Sequence, residues 1–455
     1  MQEQTSDLKP AKFIFASFLT AIVLGTILLA LPISSVKGNM AWLDAVFMAT
    51  SAACVTGLSV MDIGTELTLF GQVVLLGLIQ AGGLGIMTFS VFFMLMFRRR
   101  TSLASRLAVG FSPYRNTVNN LFHTLFFVLF MTVIFEAAGT ALLYLRLRDL
   151  YPESEAWFLA VFHAISAFCN AGFSLFSTSL MGFEREWYLP SIIMGLIICG
   201  GLGFMVIDEI RFWLLCRLKG GRHRLSLHSR VCLIGTVLLL IGGTVVVWFL
   251  EAGNHLRDMP WYCQGFNALF LSVTSRTAGF NTIETGALTN ATLFFVITLM
   301  FIGACPGSAA GGIKVPTFAV LVALIRANVQ SKSSTSLLDR KVPRAVIARA
   351  LAIFAASILL TGAMTMALQI SENIGVAHTQ SRQGFLDLLF EAVSAFGTVG
   401  LSTGVTASLS GAGKVLIIIL MFAGRLGPLT LGLAVMAKKR HVVKFEYVEE
   451  DVIVS

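Results

Sequence analysis

The chain has 455 residues, of which 56% are apolar and only 13% are charged, and its mean hydropathy is +0.82. A soluble domain carries about 25% charged residues, so this composition excludes a soluble globular protein and indicates an integral membrane protein. The net charge of +9 does not predict a nucleic-acid partner, because 23 of the 33 basic residues lie near the start of the chain or in stretches that recur along it.

The basic stretches predict the topology of the chain in the membrane. They cover residues 98–115, 211–230, 326–349 and 438–444, with Lys9 and Lys12 near the start, and the alternate loops hold most of the acidic residues. This positive-inside pattern predicts a multi-pass membrane protein with both termini in the cytoplasm and the lipid bilayer as its surroundings. The first apolar run, residues 13–31, exceeds the roughly 7–15 apolar residues of a cleaved signal peptide, so we expect a retained first span.

No sequence motif indicates a metal site or an enzyme active site. None of the seven cysteines has the spacing of a metal ligand, so we interpret them as packing residues. No nucleotide-binding loop, zinc-protease motif or serine-hydrolase elbow occurs. We therefore expect no enzymatic activity and no cofactor bound by this chain.

One unit is repeated four times along the chain. Four stretches align on an aromatic residue, a hydroxyl-rich turn and a glycine: AVFMATSAACVTGLS from Ala45, AVFHAISAFCNAGFS from Ala160, NALFLSVTSRTAGFN from Asn267 and LLFEAVSAFGTVGLS from Leu388. Their glycines are Gly57, Gly172, Gly279 and Gly400, which are 115, 107 and 121 residues apart. Four diverged copies of one unit explain this spacing most simply.

Each unit follows the same plan in chain order. A long apolar run (13–32, 122–145, 231–250 and 346–370) precedes the short segment, and a second long run (69–97, 188–216, 291–326 and 414–437) follows it. The short segments are too short to cross about 30 Å of hydrocarbon and have the length of re-entrant half-helices. We predict an all-α polytopic fold with eight transmembrane helices and four re-entrant pore helices around a pseudo-fourfold pore. The predicted repeats are 1–97, 98–217, 218–330 and 331–440, followed by a cytoplasmic tail, 441–455.

The four glycine segments have the properties of an ion-selective filter. Irregular backbone at membrane depth is stable only where protein encloses it or where it lines a water-filled cavity. Rings of backbone carbonyls select dehydrated monovalent cations. Glycine reaches the positive φ angles that such a backbone needs. The predicted filter, in which backbone carbonyls bind the ion, consists of Val55, Thr56, Gly57, Asn170, Ala171, Gly172, Thr277, Ala278, Gly279, Thr398, Val399 and Gly400.

These segments, together with GGLGFMV from Gly200 and MFAGRLGPLT from Met421, resemble the Trk/Ktr/HKT superfamily of potassium transporters. The resemblance covers nearly the whole chain and is strongest to the membrane-embedded pore subunit of bacterial Ktr systems. It implies a location in the bacterial inner (plasma) membrane and a homodimer on a cytoplasmic ring of regulatory subunits, with ATP/ADP or NAD(H) bound only on those partners. It also implies transport that sodium activates or accompanies, and four filter glycines that favour potassium over sodium.

A second group of candidate functional residues lies in the second apolar run of the third unit. Glycines and prolines interrupt this run over residues 303–316, which predicts a helix broken at mid-membrane. Either the break is a packing kink, or its residues form a gate, which we favour: Gly303, Ala304, Cys305, Pro306, Gly307, Ser308, Ala309, Ala310, Gly311, Gly312 and Lys314. In the family this stretch obstructs the pore below the filter. Cys305-Pro306 replaces smaller residues there, a change expected to stiffen the loop.

Several charged residues stand in apolar surroundings. Arg425 is expected to face the interior, either as an electrostatic barrier in the pore or bound to carbonyls of the broken loop. Lys314 is open to a gate role or to snorkelling toward the cytoplasm. Arg276 is expected to brace the third filter segment rather than to bind an ion. The remaining charged or polar residues are read as satisfied buried groups (Asp44, His163 and Glu391) or as weak cation attractors (Glu136 and Glu251).

These patterns together predict potassium uptake through a carbonyl-lined filter. An alternating-access cation carrier would show inverted repeats, whereas these four repeats are parallel with two spans each. A polytopic membrane enzyme would cluster His, Asp or Glu at one aqueous face, whereas the seven histidines are scattered. Both stay as alternatives for experiment.

Overall fold

The computed structural model describes residues 8–98, 119–221, 223–377 and 384–427. Three predicted features lie outside the described residues. They are the basic residues between 99 and 118, the end of the second apolar run of the fourth unit, and the tail 441–455. The described helices, in chain order, are α1 (Leu8–Leu29), α2 (Trp42–Ala53), α3 (Ile63–Glu66), α4 (Leu69–Arg98), α5 (Asn119–Leu147), α6 (Glu153–Phe168), α7 (Tyr188–Leu202), α8 (Phe204–Leu218), α9 (Leu227–Glu251), α10 (Trp261–Thr274), α11 (Asn290–Phe301), α12 (Val315–Val329), α13 (Arg344–Asn373), α14 (Gly384–Gly397) and α15 (Gly411–Leu426).

The chain is mostly helical, which confirms the predicted all-α fold class. Four single 3₁₀ turns occur in the described loops, at Pro32–Ser34, Met181–Phe183, Thr285–Ala287 and Thr406–Ser408. One antiparallel hairpin joins β1 (Ser336–Leu337) to β2 (Arg340–Lys341) between α12 and α13. The hairpin was not predicted, since two-residue strands leave no periodic pattern in the sequence.

Apolar and polar side chains are distributed as in a membrane protein. Large apolar side chains are exposed along the long helices, for example Leu24 on α1, Phe130 on α5, Leu238 on α9 and Leu359 on α13. Hydroxyl and amide side chains, by contrast, are buried between the short helices. This distribution is unfavourable in water but expected in lipid, where polar groups must be satisfied inside the protein.

Only some of the described helices have the length and apolar composition of a membrane span. Three of the helices are each long and apolar enough to cross a membrane, namely α5 (over Leu125–Leu147), α9 and α13, and α7 with α8 counts as a fourth span if the bent pair is one crossing. The described parts of α1 and α4, together with α11 and α12, form shorter apolar helices. The total of eight spans therefore stays a prediction.

The four short segments are helices, as predicted. They are α2, α6, α10 and α14, with 12, 16, 14 and 14 residues. Each packs against the long helix that precedes it in its own repeat, and all four have their C-terminal turns buried. The irregular backbone that follows each helix is thus enclosed by protein, which supplies partners for its polar groups.

The second run of the second repeat differs from our expectation. We predicted one continuous run over residues 188–216, but α7 and α8 meet at an angle of 99°. The break is at Gly203, whose φ is +78°, and a Cβ atom there would lie 2.5 Å from the carbonyl oxygen of Pro306. Only glycine permits this approach, so the bend depends on a contact with the third repeat that local sequence does not reveal.

The second run of the third repeat is broken, as predicted. Residues 302–314 separate α11 from α12, and the segment returns on itself, with Gly303 N–H donating to Ile313 O at 2.8 Å and Val315 N–H to Ala304 O at 3.2 Å. We call residues 302–314 the intramembrane loop. Pro316 belongs to the first turn of α12, a position that suits proline because its missing N–H has no helical acceptor there.

Candidate ion pathway

The backbone of the four glycine segments adopts one repeated conformation. The glycines have φ angles of +93°, +72°, +82° and +93°, and the residue two positions before each also has positive φ, +53° at Val55, +57° at Asn170, +75° at Thr277 and +50° at Thr398. Positive φ is a genuine outlier for β-branched residues and costs about 1–3 kcal/mol. The surrounding protein must therefore hold these segments in place, as is common at functional sites.

One hydroxyl per segment provides that support. Ser51 donates to Leu58 O at 2.7 Å, Ser166 to Phe173 O at 2.7 Å and Thr274 to Phe280 O at 2.6 Å, while Ser394 accepts from Gly400 N–H at 3.1 Å. Sequence analysis missed these residues as a set. The available signal was a hydroxyl residue six positions before three of the glycines and five before Gly279.

The four glycines meet in a closed ring. A Cβ atom on Gly57 would lie 2.3 Å from Ala171 O, one on Gly172 2.5 Å from Ala278 O, one on Gly279 2.6 Å from Val399 O, and one on Gly400 2.3 Å from Thr56 O. The contacts run from the first segment to the second, third and fourth and back to the first. Each carbonyl that precedes a glycine thus packs against the glycine of its neighbour, and side chains are excluded from the ring.

Asn170 links two of the segments. In the orientation that satisfies both ends of its amide, its NH₂ group donates to the carbonyls of Ala167 and Ile197, at 3.1 and 3.2 Å. The other end of the amide lies 3.4 Å from Thr277 Oγ1. The second and third segments are therefore joined by a buried polar contact beside the ring.

Contacts between the loops that follow the ring also run from repeat to repeat. A Cβ atom on Gly64 would meet Leu175 O at 2.0 Å, and Leu180 N–H donates to Asn281 O at 3.0 Å.

Asp62 lies in the first of these loops. Burial alone would raise the pKa of its carboxyl group, but hydrogen bonds from Ser177, Thr65 and Gly64 lower that pKa below its ordinary value. Asp62 is therefore a carboxylate.

The first and fourth repeats are joined by an ion pair. Lys414 of α15 lies 2.7 Å from Asp44 of α2, and both side chains are largely buried. Asp44 is thus a satisfied group, as predicted.

The intramembrane loop lies against the fourth glycine segment. A Cβ atom on Gly311 would meet Thr398 Oγ1 at 2.3 Å and Gly397 O at 2.9 Å. On its other side the loop is bound to the bend between α7 and α8, with Cys305 N–H donating to Gly201 O at 3.0 Å and Phe204 N–H to Gly307 O at 3.2 Å. The predicted gate residues therefore form one connected segment between the second and fourth repeats.

Arg425 and Lys314 both bind carbonyls of this loop. The Arg425 guanidinium is buried and donates to Ala309 O and, at 2.8 Å, to Gly82 O of α4. The Lys314 ammonium donates to Ala310 O at 2.5 Å and to Gly311 O at 3.1 Å. Of the two interpretations that the sequence left open for Arg425, the bonds to the broken loop are present. Lys314 points back into the loop, so the snorkelling alternative is wrong.

Of the other charged or polar residues, His163 and Glu391 are satisfied within the protein, whereas the buried Nε of Arg276 has no partner among the described residues. His163 contacts Leu159 O at 2.8 Å and Ser174 Oγ at 3.0 Å, and Glu391 accepts from Ser402 and Thr406, as predicted for both. Arg276 donates to Thr236 Oγ1 of α9 at 3.4 Å, a contact that braces the third segment.

Glu136 and Glu251, read from sequence as weak cation attractors, are buried. Glu136 accepts from Gln80 of α4 at 3.1 Å. Glu251 accepts from the backbone and hydroxyl of Thr289 at the start of α11, both at 2.9 Å. Each carboxyl group thus joins two helices, so the structure favours a connecting role for these residues.

A multi-pass helical bundle whose irregular polar segments meet in a central ring of glycines defines a membrane transport protein rather than an enzyme. The TrkH family of cation transport proteins matches residues 9–442, so the chain belongs to this family. Among curated relatives, the Ktr system potassium uptake protein B of Vibrio alginolyticus is 38% identical over 97% of this chain and 94% of that protein. The protein of the same name from Bacillus subtilis is 37% identical over 92% of each chain.

Two further comparisons agree with this placement. The potassium/sodium uptake protein NtpJ of Enterococcus hirae is 33% identical over 98% of each chain. The crystal structure of the potassium transporter TrkH from Vibrio parahaemolyticus matches with a TM-score of 0.69 over 93% of this chain and 85% of that one. Its sequence identity is 20%, so this likeness shows the fold alone.

Proposed function

We propose that the chain is the pore-forming subunit of a potassium uptake system. The observation that carries the proposal is the closed ring of Gly57, Gly172, Gly279 and Gly400, in which each glycine packs against a backbone carbonyl of the next repeat. Carbonyl oxygens arranged in this way replace the hydration shell of a monovalent cation without adding a fixed charge. The relatives named for potassium uptake support the choice of potassium as the substrate.

The residues around the ring suit a hydrated path for cations. The hydroxyls of Thr56 and Thr398 are buried and have no protein partner among the described residues, which suits groups that face water or an ion. Since α2, α6, α10 and α14 all end shortly before the ring, the negative ends of four helix dipoles lie close to it. Potassium exchanges water for carbonyl oxygens here and moves down its electrochemical gradient.

The intramembrane loop acts as the gate of this path. It lies directly against Thr398 and Gly397 of the fourth segment, and Arg425 holds it through Ala309 O. The positive charge of Arg425 adds an electrostatic barrier to cations when the loop is closed. Release of the loop from Arg425 opens the path, because Arg425 of α15 binds the loop through the carbonyl of Ala309.

Sodium and partner subunits complete the proposed system. Sodium activates or accompanies potassium uptake, an idea supported by the name of the Enterococcus hirae relative. The chain forms a homodimer on a cytoplasmic ring of Ktr-type regulatory subunits that carry ATP/ADP or NAD(H), in keeping with relatives that belong to a named system. It resides in the bacterial inner membrane with both termini in the cytoplasm.

Uptake in a potassium-transport-deficient bacterial strain tests the proposal. Expression of the chain should restore growth at low potassium and rubidium uptake, more strongly with sodium and with a Ktr-type regulatory subunit present. A chain that reaches the membrane but transports no rubidium under any of these conditions would refute the proposal. Uptake that is independent of sodium would remove the sodium part alone.

A further inference from the structure

Two cysteines from different repeats meet at the edge of the intramembrane loop. Cys232 lies on α9 and Cys305 within the loop, both side chains are fully buried, and they pack together with Val206. Both cysteines are free thiols. The two cysteine side chains therefore lie in one buried cluster, across a boundary between a membrane helix and a segment proposed to move.

The groups around the pair favour thiol chemistry. His228 Nε2 lies 3.7 Å from the sulfur of Cys232, one helical turn away on α9. Thr236 Oγ1 lies 3.7 Å from the sulfur of Cys305, and Arg276 donates to the same hydroxyl at 3.4 Å. An imidazole that accepts a proton and a nearby positive charge are the features that activate cysteine thiols.

We propose that Cys232 and Cys305 form an oxidative modification site, at which a peroxide converts the thiol pair into a disulfide that ties the intramembrane loop to α9 and stops ion flow. The effect on ion flow rests on the proposed function, because it requires the loop to be the gate. Formation of the disulfide does not rest on it.

The reaction is balanced with hydrogen peroxide as the oxidant. The sulfur of Cys305, which lies beside Thr236 and Arg276, attacks one peroxide oxygen and breaks the O–O bond. Cys305 becomes a sulfenic acid, and its thiol proton joins the departing hydroxide, which leaves as one water molecule. His228 then accepts the proton of Cys232, and the sulfur of Cys232 attacks the sulfenic sulfur so that the S–S bond forms. The displaced hydroxide takes this proton from His228 and leaves as a second water molecule. Two thiols are oxidised and one peroxide is reduced; an added dithiol reverses the change by thiol–disulfide exchange.

The position of the pair explains why a single bond is sufficient. The loop is held to the α7–α8 bend by backbone hydrogen bonds at Cys305 and Gly307, and to α15 by Arg425. These contacts are non-covalent and can be exchanged during gating. A disulfide between Cys305 and α9 cannot be exchanged without a reductant, so it holds the loop in the closed arrangement described here.

Peptide mass mapping and rubidium uptake test the proposal on the full-length protein. After treatment with hydrogen peroxide, a cross-linked peptide pair containing Cys232 and Cys305 should appear, lighter by two hydrogen atoms than the two free peptides. In the potassium-transport-deficient strain, the fraction of rubidium uptake lost should equal the fraction of protein that carries the disulfide, and dithiothreitol should restore both.

Two cysteine variants provide the controls. Cys232→Ser, which lies outside the proposed gate, should transport rubidium and be insensitive to peroxide, whereas Cys263→Ser at another buried cysteine should keep the wild-type sensitivity. Peroxide that oxidises other cysteines but leaves Cys232 and Cys305 unlinked would overturn the site. A disulfide that forms without loss of uptake would overturn its control of ion flow, and a reduced wild-type protein without any uptake would refute the proposed function instead.

Discussion

Replacement of Gly57 by serine is expected to reduce the discrimination of potassium from sodium. Gly57 has a φ of +93°, and a Cβ atom there would lie 2.3 Å from Ala171 O of the neighbouring segment. Gly404, four residues after the fourth filter glycine, is a matched control, because its φ is +102° but nothing lies within 4 Å of its Cβ position. Serine at either position has the free-energy cost of a positive φ angle. Only at Gly57 does its side chain also clash with the neighbouring segment of the ring.

The magnitude follows from these distances. Positive φ costs a non-glycine residue about 1–2 kcal/mol, and this term is common to both variants. Ordinary contacts begin at about 3.4 Å, so Ala171 O must move by about 1 Å in the Gly57 variant only. An oxygen dipole bound to a charged group contributes about 1.5–3 kcal/mol, so loss of one carbonyl from the ring corresponds to at least about a tenfold fall in relative ion affinity.

The assay compares rubidium uptake with and without competing sodium in the potassium-transport-deficient strain. Gly57→Ser should lose most of its discrimination and fail to support growth at low potassium with high sodium, while Gly404→Ser should behave like the wild type. Equal discrimination in Gly57→Ser and wild type, at equal membrane expression, would show that the glycine ring does not select the ion.

Four further predictions use other contacts. Deletion of residues 307–311 should raise rubidium flux, because the segment against the fourth filter segment is removed; a fall in flux at unchanged expression would mean that the loop is structural. Arg425→Ala removes the donor to Ala309 O and Gly82 O and should change uptake kinetics, with Arg425→Lys as the charge-retaining control; identical kinetics would exclude Arg425 from the ion path. Ser394→Ala removes the acceptor for Gly400 N–H and should lower the free energy of unfolding by about 1 kcal/mol in a thermal unfolding assay, whereas the exposed Ser408→Ala should not. Asp44→Asn should destabilise the protein by about 1–3 kcal/mol because Lys414 is left unpaired, and a double variant with the two charges exchanged should recover stability unless the pair contributes nothing.

Several features of the fold could be predicted because they have a local cause. The short helices α2, α6, α10 and α14 followed from apolar length, and the break between α11 and α12 followed from glycine and proline. The satisfied state of His163 and Glu391 followed from the cost of burying a polar group in lipid. The bend at Gly203 could not be predicted, because its cause is the Pro306 carbonyl of another repeat.

The sequence by itself determined the membrane class, the fourfold repetition and the glycine at the centre of each repeat, since composition and spacing are properties of the chain. Only the tertiary structure decided that each glycine packs against the carbonyl of the next repeat, that Arg425 binds the intramembrane loop, and that Cys232 lies beside Cys305. These contacts join residues that are tens to hundreds of positions apart, and no local propensity encodes which carbonyl or thiol a distant residue will meet.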